Sequence, residues 1–132
     1  MKAIYISKKI ALGFLFLLLA GCVVFGGGNL HFEGESDNWL VKYSVVDNGN
    51  SGQVSSYIID YIGEGVNPES FDYVVSTSIA RSEHAGTGAS FKGRGILEET
   101  NIQLGARVQE DEIIVAEFSW DGKTEKVVLE IK

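Results

Sequence analysis

From Leu30 onward apolar residues recur at every second position, in runs separated by breaks rich in glycine, asparagine and aspartate. Period two sends successive side chains to opposite faces of an extended strand, so each run buries one face and wets the other. Trp39, Val41, Tyr43 and Val45 alternate with Leu40, Lys42, Ser44 and Val46. Val54 to Ile62 resumes the alternation, with Tyr57, Ile59 and Tyr61 on one side. Between them Asp47-Asn48-Gly49-Asn50-Ser51-Gly52 tolerates positive φ, which predicts a hairpin with a long loop. Gly63 to Ser70 holds the only proline, Pro68, and reads as a turn; a third strand runs from Phe71 through Tyr73, Val75, Thr77 and Ile79.

Farther along, Ser82 to Gly88 reads as a glycine-containing loop, and Ala89 to Leu97, interrupted by Gly93 and Gly95, as a thin or bulged strand. Glu98 to Glu112 contains Ile102, Leu104 and Val108 without a clean period, which suits short strands at its two ends. Ile113 to Trp120 and Lys123 to Ile131 flank Asp121-Gly122, a dipeptide fitted to a two-residue type I′ turn because both central positions need positive φ. Trp39 and Trp120 fall in these alternating strands, where aromatic side chains fill a core. After residue 28 no stretch carries apolar residues at helical spacing for three turns. The expectation is an all-β fold, a two-layer antiparallel β-sandwich with an immunoglobulin-like arrangement as one form of it; a small closed β-barrel is the alternative.

The start of the chain has a different grammar. Lys2, Lys8 and Lys9 precede an uncharged run from Ile10 to Ala20 broken only by Gly13, the pattern of a secretory leader. That run ends at Leu19-Ala20-Gly21-Cys22, and Cys22 is the only cysteine, so no internal disulfide can form and the fold must stand on its core. The four residues and their hydrophobic lead-in resemble the lipobox of bacterial lipoproteins. The resemblance implies a diacylglycerol thioether on Cys22, cleavage between Gly21 and Cys22, and acylation of the new amino terminus, for example with palmitate. Each buried methylene contributes about 0.8 kcal/mol, so two chains hold a soluble domain at a bilayer where one would not. Ile10 to Phe25 is short for a spanning helix, which takes about 20 apolar residues. The expected organisation is a leader over 1–21, a lipidated cysteine with a glycine-rich tether over 22–29, and a β-domain over 30–132, placed on the extracytoplasmic face of the cell membrane.

Removing residues 1–21 leaves eight basic and all eighteen acidic residues, a formal charge of −10. Such a surface is a poor match for nucleic acid or for anionic headgroups and favours cationic partners, although the same charge also serves solubility.

Phe32-Glu33-Gly34-Glu35-Ser36-Asp37-Asn38-Trp39 near the start of the domain and Phe118-Ser119-Trp120-Asp121-Gly122-Lys123-Thr124-Glu125 near its end resemble a group of small lipid-anchored lipoproteins of Bacillus-type bacteria. This resemblance bears on location and architecture, and it transfers no functional residue, cofactor or partner.

Catalytic chemistry finds little support. Zinc needs three or four converging ligands, and with Cys22 lipidated the chain offers only His31 and His84 besides carboxylates. Ser82, Glu83 and His84 are triad residue types, but adjacent positions on a strand or loop point apart. The Asp47 loop has Gly49 and Ile58 where an EF-hand needs its third and twelfth ligands. Gly86 with Gly88, and Gly93 with Gly95, lack the third glycine and the helix that phosphate binding uses. Two acidic groups, Glu33, Glu35 and Asp37 before Trp39, and Glu110, Asp111 and Glu112, could collect a cation or a basic peptide or simply be solvated. No catalytic, metal or cofactor residue is expected. The expected role is a non-catalytic, membrane-anchored contact module for a protein or envelope polymer; the alternative is an inhibitor or immunity lipoprotein that captures a cationic enzyme or peptide.

Overall fold

The computed structural model describes residues 29–49, 52–91 and 96–132. The expected leader, the Gly21–Cys22 cleavage and lipidation site, and all of the tether before Asn29 lie outside the described residues. The described residues form eight antiparallel strands: β1 (Leu30–Glu35), β2 (Trp39–Asp47), β3 (Gln53–Tyr61), β4 (Phe71–Thr77), β5 (Glu83–Ala89), β6 (Ile96–Gln103), β7 (Ile114–Trp120) and β8 (Lys123–Ile131). They form one strongly curled sheet, a half-barrel, in the order β5-β4-β7-β8-β1-β2-β3-β6, with no helix among the described residues. Where two layers were expected the sheet is continuous, because β1 and β8 join its halves through Phe32↔Ile131 and Glu33↔Glu130.

Alternation decides which side chains enter the curl. On β2, Trp39, Val41, Tyr43 and Val45 are buried, and on β3 Tyr57 and Ile59 pair opposite Tyr43 and Val41. Across the interior, β4 contributes Phe71, Tyr73 and Val75, and β7 contributes Ile114, Ala116, Phe118 and Trp120. The two tryptophans are therefore core residues. Trp39 stacks on Phe118 with centroids 4.1 Å apart and meets Trp120 edge-on at 5.3 Å. Such pairs add about 0.5–1.5 kcal/mol each beyond the area they bury.

The tight turns follow their residues. Asp121 and Gly122 hold φ of 46° and 74°, as a type I′ hairpin requires. At the β2–β3 hairpin Asp47 accepts the Gly49 N–H at 2.9 Å, and Arg107 clamps the same carboxylate at 2.6 and 3.3 Å. Gly34 does something different. A Cβ there would lie 2.3 Å from the Val128 carbonyl oxygen, so glycine is what lets β8 cross β1 closely at the joint between the halves.

Antiparallel order sorts the connections into two ends. β1 starts and β8 finishes at one end, together with the 47–53 hairpin, the 78–82 turn and the 104–113 loop. That loop covers the mouth: Leu104 and Val108 are buried, and Gln53 bonds the Val108 N–H and carbonyl at 2.7 and 3.0 Å. The opposite end carries the 36–38 turn, the 62–70 loop and the Asp121–Gly122 turn. Aromatic rings of Trp39, Phe71, Phe91, Phe118 and Trp120 fill it, so the half-barrel is packed rather than hollow.

Candidate functional site

Ser82 to Gly88, expected as a loop, is mostly strand β5, and it lies at one margin of the sheet. Its neighbour in sequence, β6, lies at the other margin. The two run in opposite senses, yet among the described residues β5 pairs only with β4 and β6 only with β3. Between them a cleft of about 920 Å³ is lined by Tyr73, by Ala85, Gly86 and Ala89 of β5, and by Leu97, Glu98 and Glu99 of β6.

Small residues on β5 shape this cleft. A Cβ at Gly86 would come within 2.3 Å of the Tyr73 ring, so glycine allows that ring to lie flat against the strand. Gly88, at φ 62°, donates its N–H to Asp72 at 2.8 Å where the β4–β5 register shifts. On the other margin the β3–β6 register shifts between Ser55 and Tyr57, and Asn101 takes φ 57°. Both margins thus carry a bulge, a common way of blunting an exposed strand edge.

At the floor of the cleft the Tyr57 and Tyr73 hydroxyls share a 2.7 Å hydrogen bond across the interior. Burial pushes both phenols above their ordinary value, and the nearby Glu99 carboxylate pushes them further. His84 faces the same region, its ring centroid 6.4 Å from that of Tyr57. Among the described lining residues none is basic.

The residues singled out in the sequence are dispersed. His31 bonds Ser44 at 3.1 Å on the exposed side of β1, away from His84. Ser82 is tied through its backbone N–H to the Thr77 hydroxyl at 2.8 Å, and it makes no triad with His84. Glu33 pairs with Lys42 at 3.5 Å on the surface. The second acidic group is split: Glu112 is buried and accepts the backbone N–H groups of Ile79, Ala80 and Gln109, so it holds loops together instead of facing solvent with Glu110 and Asp111. Among the described residues no three His, Cys, Asp or Glu side chains are grouped to hold a metal ion.

The two motifs that bracket the domain meet. Glu125 accepts hydrogen bonds from the Ser36 hydroxyl, from the Asn38 backbone N–H at 3.0 Å and from the Asn38 side-chain amide at 2.8 Å. Desolvation pushes its carboxyl up, but these three donors outweigh it and hold the group below the usual range. With the Trp39–Phe118 stack beneath, the motifs build a joint between the 36–38 turn and β8.

Sequence reasoning missed the cleft. Glu98 to Glu112 reads only as short strands at its two ends, and the run of small residues Ala85, Gly86, Gly88 and Ala89 is the one hint that a backbone is left uncovered. Searches against models of known families, curated proteins and solved structures returned no significant match.

Proposed function

We propose that the chain is a non-catalytic contact module tied by lipid at Cys22 to the outer face of a bacterial cell membrane, akin to the small lipoproteins of Bacillus-type bacteria. The observation that carries this reading is the basic leader and apolar run ending in Leu19-Ala20-Gly21-Cys22. The described fold suits it. Leu30 opens β1 only eight positions after Cys22, so a short tether would hold the β1 end near the bilayer and turn the 62–70 loop and the Asp121–Gly122 turn outward. Among the described residues no helix is long and apolar enough to cross a membrane.

A contact role is favoured over catalysis because the triad residue types of the sequence, Ser82, Glu83 and His84, are adjacent positions whose side chains point apart. Architecture follows the same reading: the halves β5-β4-β7-β8 and β1-β2-β3-β6 act as the two layers of a sandwich that stay joined at one corner, supported by the Tyr57–Tyr73 bond between them. A charge of −10 in the mature chain supports a cationic partner, whether a protein, a peptide or an envelope polymer.

The test is photo-crosslinking of the native protein in living cells, with a Cys22→Ser variant beside it. The account expects a discrete partner for the native chain, and for the variant a loss of acyl labelling and of membrane fractionation. A variant that still labels and fractionates normally refutes the anchor, and the absence of any crosslinked partner refutes the contact role.

A further inference from the structure

The cleft between β5 and β6 is bounded by two strand edges that, among the described residues, join no further strand, the kind of edge that offers backbone N–H and C=O groups for pairing. We propose that this seam receives an extended, basic segment of a partner protein, which adds as a strand along an open edge and directs the lysine or arginine side chains of one face toward Glu98 or Glu99, which lie on opposite faces of β6. The proposal rests on the contact-module reading and gives that partner a chemistry and a docking place.

Three features converge on it. Ala85, Gly86, Gly88 and Ala89 put no bulky side chain over the β5 backbone, so an approaching strand can reach it. The regular part of β6, Ile96 to Glu99 paired with Asp60 to Tyr57, ends at the bulge near Asn101, which limits the incoming segment to a short one. The described lining is acidic: Glu98 and Glu99 are exposed, no ion pair among the described residues engages either, and no described lining residue is basic.

Carboxylates on an open edge repel acidic strands and disfavour apolar ones, which protects the edge from indiscriminate pairing. A basic strand turns the same charges into attraction, so one feature excludes most partners and admits one class. Main-chain bonds would then supply affinity and the carboxylates selectivity, the usual division in strand addition.

The test uses the full chain in nonionic detergent micelles and three short probes: a peptide alternating valine with lysine, its glutamate counterpart, and the lysine peptide with alternate amides N-methylated. Fluorescence anisotropy reads binding, and amide hydrogen exchange reads where it occurs. The lysine peptide is expected to bind, more weakly as salt rises, and to slow exchange within Ala85–Ala89 and Ile96–Glu99. The N-methylated and glutamate probes are expected not to bind, and the Glu98→Gln/Glu99→Gln double variant to lose roughly tenfold in affinity for the lysine peptide. Equal binding of the lysine and glutamate probes, unchanged affinity in the double variant, protection confined to other strands, or no binding at all would overturn the proposal. A partner crosslinked in cells at another surface would then leave the contact role standing, whereas peptide binding with no partner in cells would remove the role and keep the seam.

Discussion

Replacing Gly34 by alanine tests the joint on which the curl depends. The added Cβ would meet three backbone atoms of β8: the Val128 carbonyl oxygen at 2.3 Å, the Val128 carbonyl carbon at 2.9 Å and the Leu129 Cα at 3.0 Å. No side-chain rotation can relieve that, so β8 must move away from β1, where the ladder joining the halves is short, with Phe32↔Ile131 and Glu33↔Glu130 as its register pairs. Overpacking costs about 1–3 kcal/mol, and contact with backbone places this site near the upper figure. Alanine returns about 0.4–1 kcal/mol by restricting the unfolded chain, which leaves a net loss of about 2 kcal/mol. For a domain of this size that lowers the melting temperature by roughly 10 °C. Gly105 is the matched control, since a Cβ there meets nothing within 4 Å and its φ is not positive. Gly105→Ala is expected to be neutral or slightly stabilising. Urea unfolding followed by fluorescence suits both variants, because the two tryptophans of the chain are both buried in the core. If Gly34→Ala unfolds at the same urea concentration as Gly105→Ala, β8 does not cross β1 as described.

Glu125→Gln is expected to cost about 1–2 kcal/mol at neutral pH, the low end for charged hydrogen bonds because this site is only partly buried. The folded-state carboxyl sits below its ordinary value of 4.5, so its contribution is complete above that value and is lost as pH falls through the lowered one; acid unfolding curves of the variant and native chains should converge there, and a constant offset down to the lowest pH would refute the assignment. Tyr57→Phe is expected to cost about 1–3 kcal/mol by leaving the Tyr73 hydroxyl unpaired, with the Tyr57→Phe/Tyr73→Phe double variant recovering part of it; strict additivity in a double-mutant cycle would show that the two hydroxyls do not interact.

Strands β2, β3, β4, β7 and β8 are legible in the sequence because each buries one face, and burial leaves its mark every second residue. β5 is not legible. As an edge strand with glycine and alanine inside, it has no apolar stripe, and its conformation is imposed by pairing with β4. β6 is half legible for a different reason: Leu97 and Ile102 are both partly buried although five positions apart, a spacing strict alternation forbids and the bulge near Asn101 restores. The continuity of the sheet is also hidden, since the contact between β1 and β8 depends on the missing side chain of Gly34 and on no apolar pattern. Glu112 looks like one of three surface acids, and only the backbone groups of Ile79, Ala80 and Gln109 reveal it as a buried cap. The cleft arises from two margins failing to meet, which is a property of topology that local residue patterns do not record.

Intact-mass spectrometry of the protein purified from its native membrane tests the central claim most directly. The account expects a chain beginning at Cys22 and heavier than its amino-acid mass by a diacylglyceryl group, with or without a further acyl chain. A mass that retains Met1 to Gly21, or a free thiol at Cys22, would contradict it.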